Sequence, residues 1–490
     1  MSRKSERIKD YYYAAAGAVG TMPLEQSESI PKFNGLDLLI SRAKSHLPVV
    51  GTTFSFLTNM DRMSDYIAQE VLDPEFSGAK VISNMFMEPV ILINDPESLE
   101  YVMSTNFENY VKGHLWGKRV TEFLGHGIFN SDGQEWYMQR KLASKIFTAR
   151  AFKSNIETVF SSNMQTFIKV LKEKDGQAVD LHDMFHRFFM DSFGEIAFGI
   201  EIQSLTKDNV PFAQAFDRIQ QATSQRFFNP FFSMTDRFIY PNFDADIKMI
   251  REFGLKVIND RRQEVNVTRN DLLSLFMNYK SEDGSPLTDD QLIDHVLNFL
   301  IAGRDTTAQG LSWTFYSLFK NPNVLDTLLA EIKSSMNDQL IPDYDTVKKM
   351  KYANAVFKES LRLYPSVSRE AKLAVNDDVL PNGTPVPAGT AIAFCPYAYG
   401  RNSKVWTDPL EFKPERWLTG KQPTQYEYPA FNCGPRICLG KTLAEIQGVF
   451  VMVSILARFH FKIQNMDKIM PGCSLTFPMK YGMQVQFNEK

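Results

Sequence analysis

The stretch TDDQLIDHVLNFLIAGRDTTAQGLSWTFYSLFKNP, Thr288 to Pro322, constrains the fold more than any other part of the chain. It opens on a capping box, Thr288 with Gln291 three residues on. It closes at Asn321-Pro322, where the proline stops it. The pattern predicts a helix of about 33 residues, about 50 Å long at 1.5 Å per residue and so long enough to cross a whole domain. Its centre, AGRDTT, is poor helix material: a glycine, an aspartate and two β-branched threonines. Ala302, Gly303 and Thr306 share one face. Two readings stay open: a close helix crossing, or a gap that lets something flat approach with hydroxyl and carboxyl groups beside it.

At 490 residues, a hydrophobic content of 44% against 23% charged residues is that of a soluble globular protein with a real core. Net charge is −3 with both signs abundant, which gives no nucleic-acid footprint. The local basic runs HLWGKR and QRKLASK read as solvated surface. Four cysteines do not make a disulfide scaffold and favour a reducing, intracellular setting. The N-terminal run YYYAAAGAVG is shorter than the roughly 20 residues a membrane helix needs and lacks a secretory pattern. Residues 1–45 are therefore expected to be a weakly ordered leader or a surface-lying segment without a transmembrane anchor.

From LPVVGTTFSF onward the chain reads as one helix-rich domain over residues 46–490. KVISNMFMEPVILINDP predicts two short strands with a turn near Glu88-Pro89. Helical periodicity then dominates to about residue 375. Strand character returns in TPVPAGTAIAFCPYAYG and in SLTFPMKYGMQVQF. The expected class is mainly α with small β-sheets contributed from both ends.

The run FNCGPRICLG, Phe431 to Gly440, holds two of the cysteines. A disulfide between Cys433 and Cys438 has little support in a reducing setting. A zinc or iron–sulfur site needs about four ligands, and Cys395 and Cys473 stand alone with no histidine at ligand spacing. A single thiolate ligand fits better. Leu439, Leu443, Ile446, Phe450 and Val453 recur at helical steps, which puts Cys438 at a helix mouth, where amides and dipole favour an anionic sulfur. Gly434 and Gly440 let backbone N–H groups crowd that sulfur. Arg436 offers a charge to an acidic group on whatever binds, and Cys433 reads as a small buried hydrophobe.

FNCGPRICLG resembles the F-x-x-G-x-R-x-C-x-G signature of the cytochrome P450 haem-thiolate monooxygenases, with Cys438 at the position of the proximal ligand. AGRDTT resembles the central-helix motif of that family. KESLRLYP contains the E-x-x-R pair, Glu359 and Arg362, and FKPERW supplies Arg416 as third member of a buried cluster. EWYMQRK has the W-x-x-x-R spacing of a haem-propionate site, Trp136 and Arg140. The resemblance covers about residues 45–490.

The resemblance implies a b-type haem (iron protoporphyrin IX) between the long central helix and the cysteine-loop helix. It implies Cys438 as iron ligand, Phe431 packed beside the sulfur, and Arg436, Trp136, Arg140 and Lys372 as propionate contacts. It further implies Thr306 as the hydroxyl beside bound oxygen, where the central helix is locally distorted, and Asp305 as the proton source. One oxygen atom enters the substrate and the other leaves as water.

Segments such as NFENYVKG and VLNFLIAGRDTTAQGLSW are similar to the fatty-acid and alkane ω-hydroxylase branch of fungi and plants. A long-chain fatty acid is thus the expected substrate, with Phe rings of RFFNPFF and the loop 113–130 as channel candidates. Electrons are expected from a separate NADPH-dependent diflavin reductase near Lys141, Lys145 and Lys441, since no flavin or iron–sulfur motif is evident. The expected setting is a monomer, intracellular, with a possible peripheral contact on the endoplasmic reticulum membrane. Two other classes fit the motifs less well: a haem-thiolate isomerase or dehydratase, in which the pair Asp305-Thr306 is often lost, and a non-catalytic haem-binding sensor.

Overall fold

The structure is a computed structural model that describes residues 52–490 except 74–78, 84–86, 175, 208, 265–268, 270, 282–283, 337–338 and 473. The expected leader over residues 1–45 and the isolated Cys473 lie outside the described residues. The principal helices are α1 (Met63–Leu72), α2 (Gly113–Leu124), α3 (Gly133–Ser144), α4 (Leu181–Phe198), α5 (Pro211–Gln225), α6 (Phe243–Gln263), α7 (Asp289–Lys320), α8 (Lys351–Leu363) and α9 (Lys441–Arg458). The strands are β1 (Ala79–Ile82), β2 (Val90–Ile93), β3 (Tyr110–Val111), β4 (Ala178–Asp180), β5 (Glu370–Ala374), β6 (Asp378–Val379), β7 (Pro385–Val386), β8 (Ala391–Phe394), β9 (Phe459–Ile463) and β10 (Gln484–Glu489). The class is mainly α with small sheets, as expected.

α7 forms the axis. Thr288 caps it as anticipated: its hydroxyl accepts the Gln291 N–H, while the Gln291 side chain accepts the Thr288 N–H at 2.9 Å. Leu292 to Ile301 is buried on every side, because α4, α6, α8 and α9 all pack on this helix. Asn298 and Asp294 in that stretch are matched rather than solvated, while His295 stacks on the Phe276 ring with centroids 4.0 Å apart. Asn298 donates to the Leu124 carbonyl at 2.7 Å and accepts from Phe129 N–H at 3.2 Å. Asp294 accepts from the His126 N–H at 2.9 Å. These bonds fix the loop after α2 and aim Ile128 and Phe129 inward.

The larger sheet has the order β1-β2-β8-β5-β3. β1 and β2 pair antiparallel around the anticipated turn, from Ala79↔Ile93 to Ile82↔Val90. β2 then runs parallel to β8, Val90↔Ala391 to Ile93↔Phe394. A second sheet, β4-β10-β9, closes the C-terminus.

Three expectations need correction. SLTFPMKYGMQVQF is not strand throughout: the chain turns back on itself, with Gly472 N–H donating to the Pro478 carbonyl at 2.7 Å, and β10 begins only at Gln484. The expected loop 113–130 is largely α2, whose Val120, Phe123 and Leu124 recur at helical steps and bury toward α5. α7 is α-helical from end to end, without the expected local distortion.

Candidate active site

α7 and the cysteine loop form opposite walls of one cavity of about 250 Å³. Ala302, Gly303, Thr306 and Thr307 line one wall, and Phe431, Arg436, Cys438, Gly440 and Leu443 the other. Ile128, Phe129, Phe193 and Phe299 make much of the remaining lining apolar.

The cysteine loop is held by its own backbone. Cys438 N–H donates to the Phe431 carbonyl at 2.8 Å, and Ile437 N–H to the Gly434 carbonyl at 3.0 Å. Gly434 is required: its φ is +61°, and a Cβ there would lie 2.0 Å from the Met103 carbonyl oxygen. Gly440 carries no such demand, which corrects its expected steric role. A Cβ there would meet Phe147 at 3.6 Å and the Cys438 sulfur at 3.8 Å, ordinary contacts. Gly440 matters through its amide, because its N–H and that of Lys441, at the mouth of α9, hydrogen-bond the Cys438 sulfur.

Cys438 has exposed surface yet sits deep in the protein, so what it is exposed to is the cavity. Burial pushes its thiol up, opposed by the Gly440 amide, by Arg140, and by the amide and charge of Lys441. Cys433 is fully buried beside Met103, Tyr399 and neighbours, and burial raises it to about 12. It is a core side chain, as read.

One end of the cavity is cationic. Arg436 donates to the Ser131 carbonyl at 2.9 Å and to Asp132 at 2.7 Å, and its guanidinium lies 4.5 Å from the Trp136 ring centroid. Arg140 donates to the Ile437 carbonyl at 2.7 Å, 5.8 Å from the same ring. Lys372 stands one layer behind the wall, 2% exposed. Burial, then Lys112 and Arg436, hold its ammonium well below the usual lysine range. Among the described residues, Lys372 Nζ and Arg436 Nε are buried without a hydrogen-bond partner, which suits a ligand edge carrying negative charge. Sequence reasoning missed Lys112, which lines this end and pairs with Glu370 at 2.5 Å. Its partner comes from β5, so no local spacing marks it.

Thr306 faces the cavity, but its hydroxyl donates to the Ala302 carbonyl at 2.7 Å, and its own carbonyl accepts from Ser366 at 2.5 Å. Gly303 settles part of the open question about AGRDTT: a Cβ there would lie 2.1 Å from the Phe193 ring. That residue serves a helix crossing, while Ala302 and Thr306 border the gap. Asp305 does not line the cavity and turns away toward α4 and α5, where it meets His186 and Arg304. From RFFNPFF no side chain reaches the cavity lining; Phe227 packs at a tilt against Trp116 and Phe228 against Phe56.

Glu359 and Arg362 are fully buried rather than a surface pair. Arg362 holds both carboxylate oxygens at 2.8 Å, and Arg416 and Trp417 each donate to Glu359 at 2.9 Å. This cluster underpins α8 beneath the cavity floor, where Phe357 and Leu361 contribute to the lining.

An apolar cavity between a long helix and a cysteine loop, cationic at one end, suits a haem-binding oxidoreductase. The Cytochrome P450 family model matches residues 44–482, and the chain belongs to that family. It is 34% identical over 479 residues to cytochrome P450 monooxygenase cyp1 of Mycosarcoma maydis, covering 90% of this chain and 74% of that one. Cytochrome P450 704B1 of Arabidopsis thaliana is 34% identical over 84% of this chain and 88% of its own. Cytochrome P450 94A1 of Vicia sativa is 31% identical over 86% and 85%. Among solved structures, the cytochrome P450DA heme domain superposes with a TM-score of 0.78 at 25% identity, covering 91% of this chain and 96% of that one. The protein is therefore an oxidoreductase that incorporates molecular oxygen, with haem as cofactor, a redox partner and an apolar substrate. No helix among the described residues is long and apolar enough to cross a membrane.

Proposed function

We propose that the protein hydroxylates a long-chain fatty acid or related lipid at or near its terminal carbon, with residues 46–490 as the catalytic unit. The observation that carries this reading is that Cys438 and Thr306, one from each wall, line the same apolar cavity. Cys438 holds the haem iron, Phe431 packs beside the sulfur, and Gly434 shapes the turn. Arg436, Arg140 and Trp136 would take the propionate edge with Lys372 behind them, and an added negative charge there would satisfy the unpartnered Arg436 Nε and favour the charged form of Lys372.

When bound, the haem supplies the activation of dioxygen, for which thiolate ligation favours O–O cleavage. The chain does the rest. The Gly440 and Lys441 amides and the α9 dipole stabilise negative charge on sulfur. Thr306 commits its own proton to the Ala302 carbonyl at 2.7 Å, which leaves its hydroxyl oxygen at the α7 wall to accept and orient a proton there. Asp305, behind that wall, is the source of the proton. Ile128, Phe129, Phe193 and Phe299 exclude water and receive the alkyl chain.

The electron donor in this reading is an NADPH-dependent diflavin reductase docking at Lys141, Lys145 and Lys441, and the setting is intracellular and peripheral on the endoplasmic reticulum membrane. Its resemblance to the fungal and plant ω-hydroxylase branch supports the lipid substrate. Reconstitution with NADPH, such a reductase and a fatty-acid chain-length series tests it. Terminal or near-terminal hydroxy acids with a preferred chain length are expected. A haem-loaded, reducible enzyme that turns over no member of the series would overturn the substrate assignment.

A further inference from the structure

The link between α8 and β5 runs along α7 and is pinned to it at two points. Tyr364 stacks on Trp313 with ring centroids 4.4 Å apart and planes inclined by 6°. About two turns back along α7, the Ser366 hydroxyl lies 2.5 Å from the Thr306 carbonyl oxygen. A third anchor ties the link to α1, where the Ser64 hydroxyl donates to Ser368 at 3.0 Å. Pro365, immediately before Ser366, fixes one backbone torsion. The place of the Ser366 hydroxyl is therefore set by the link, not by α7.

A carbonyl oxygen can only accept, so Ser366 is the donor in this bond. The Thr306 carbonyl already faces the Gly310 N–H in the continuous helix, and it has two lone pairs. Ser366 takes the second. Gly310 keeps the crossing close: a Cβ there would lie 3.0 Å from Leu361 of α8 and 3.5 Å from the Ser366 oxygen. Ser312, Thr314 and Ser317 each donate to the carbonyl four residues back, as Thr306 does to Ala302. Such bonds compete with the helical ladder and favour bending. Apart from the cap residue Asn321, Ser366 is the one side chain from outside α7 that hydrogen-bonds a carbonyl of this helix among the described residues. It does so at the residue whose hydroxyl borders the cavity, and Ser366, Thr306 and Ala302 all line that cavity.

We propose that Ser366 is a positioning residue for Thr306: from a link anchored elsewhere it clamps the Thr306 peptide, and so fixes where the Thr306 hydroxyl stands against the cavity. The functional part rests on the reading of Thr306 as the hydroxyl that orients a proton; the clamp stands apart from it. AGRDTT is poor helix material, and its own back-bond from Thr306 to Ala302 loosens it further. An external donor settles which way the peptide after Thr306 can tilt.

Ser366→Ala removes the donor but leaves the Thr306 carbonyl its helical partner, so the fold is expected to survive. Amide hydrogen exchange of the haem-loaded protein reads the clamp without turnover. Exchange over residues 306–311 about fivefold faster in Ser366→Ala, with residues 292–300 unchanged, is expected. Ser366→Thr keeps the hydroxyl and should return the rate toward wild type. Unchanged exchange in Ser366→Ala, a rise spread evenly along α7, or an equal rise in both variants overturns the clamp. The ratio of product formed to NADPH consumed reads its consequence. A ratio severalfold lower in Ser366→Ala, with KM little moved and no further fall when Ser366→Ala is added to Thr306→Ala, supports the positioning role. An unchanged ratio in Ser366→Ala, or a full further fall in the Thr306→Ala background, overturns that role. Should Thr306→Ala itself leave the ratio intact, Thr306 is not the proton-orienting hydroxyl, and the exchange result decides the clamp by itself.

Discussion

Cys438 is a thiol on which burial and local amides pull in opposite directions, and in the proposed reading the haem iron resolves the contest. Cys438→Ser keeps the size of the side chain but replaces the soft sulfur donor. Loss of the thiolate-type Soret band of the reduced carbonyl complex is expected in that variant, and an unchanged spectrum would remove Cys438 as ligand. This position was legible because Phe431, Gly434, Arg436 and Gly440 stand at fixed local steps around it. Lys112 and His186 were not, since each meets its partner only after the chain folds: Lys112 meets Glu370 258 residues away. Asp305 was found by its motif, yet which way it faces is decided by α4 and α5, which no motif records.

The helix α7 owes its central position to what it lacks at Gly303 as much as to what it carries. Phe193 of α4 fills the space a side chain there would take. Gly303→Ala is expected to cost about 1–3 kcal/mol through overpacking, read as a lower denaturation midpoint. In a Phe193→Ala background most of that cost should vanish, and an equal loss in both backgrounds would show that the ring is not the obstacle. The ends of α7 were readable because caps are local: Thr288 and Gln291 bond each other, and Pro322 follows Asn321. Residues 474–483 misled for a related reason. Their alternation resembles a strand, but the chain doubles back so that Gly472 N–H meets the Pro478 carbonyl, and pairing with β4 and β9 starts only at Gln484.

Across the whole molecule, Glu359 is the joint between α8 and the segment leading to the cysteine loop. It accepts from Arg362, Arg416, Trp417 and the Lys413 amide while fully buried. Glu359→Gln would leave two arginines without their shared counter-charge, one of them buried. A loss of about 3–5 kcal/mol is expected, seen as poor recovery of haem-loaded protein, and normal recovery with an unchanged melting temperature would contradict it. The sequence pattern was enough for the class, helix-rich with small sheets, because periodicity and the motifs agree. Strand order was beyond it, since β2 and β8 pair across most of the chain.

That parallel pairing has a consequence for how the protein is made. Ile93 waits for Phe394, roughly 300 residues later. At about 5–20 residues per second, β1 and β2 leave the ribosome roughly 15–60 s before the strand that completes their sheet exists. Throughout that interval Ile91 and Ile93, both buried in the finished protein, have no cover from β8. The sheet of the N-terminal part thus becomes native only when the C-terminal part arrives, and until then its apolar strand face stays open to other contacts.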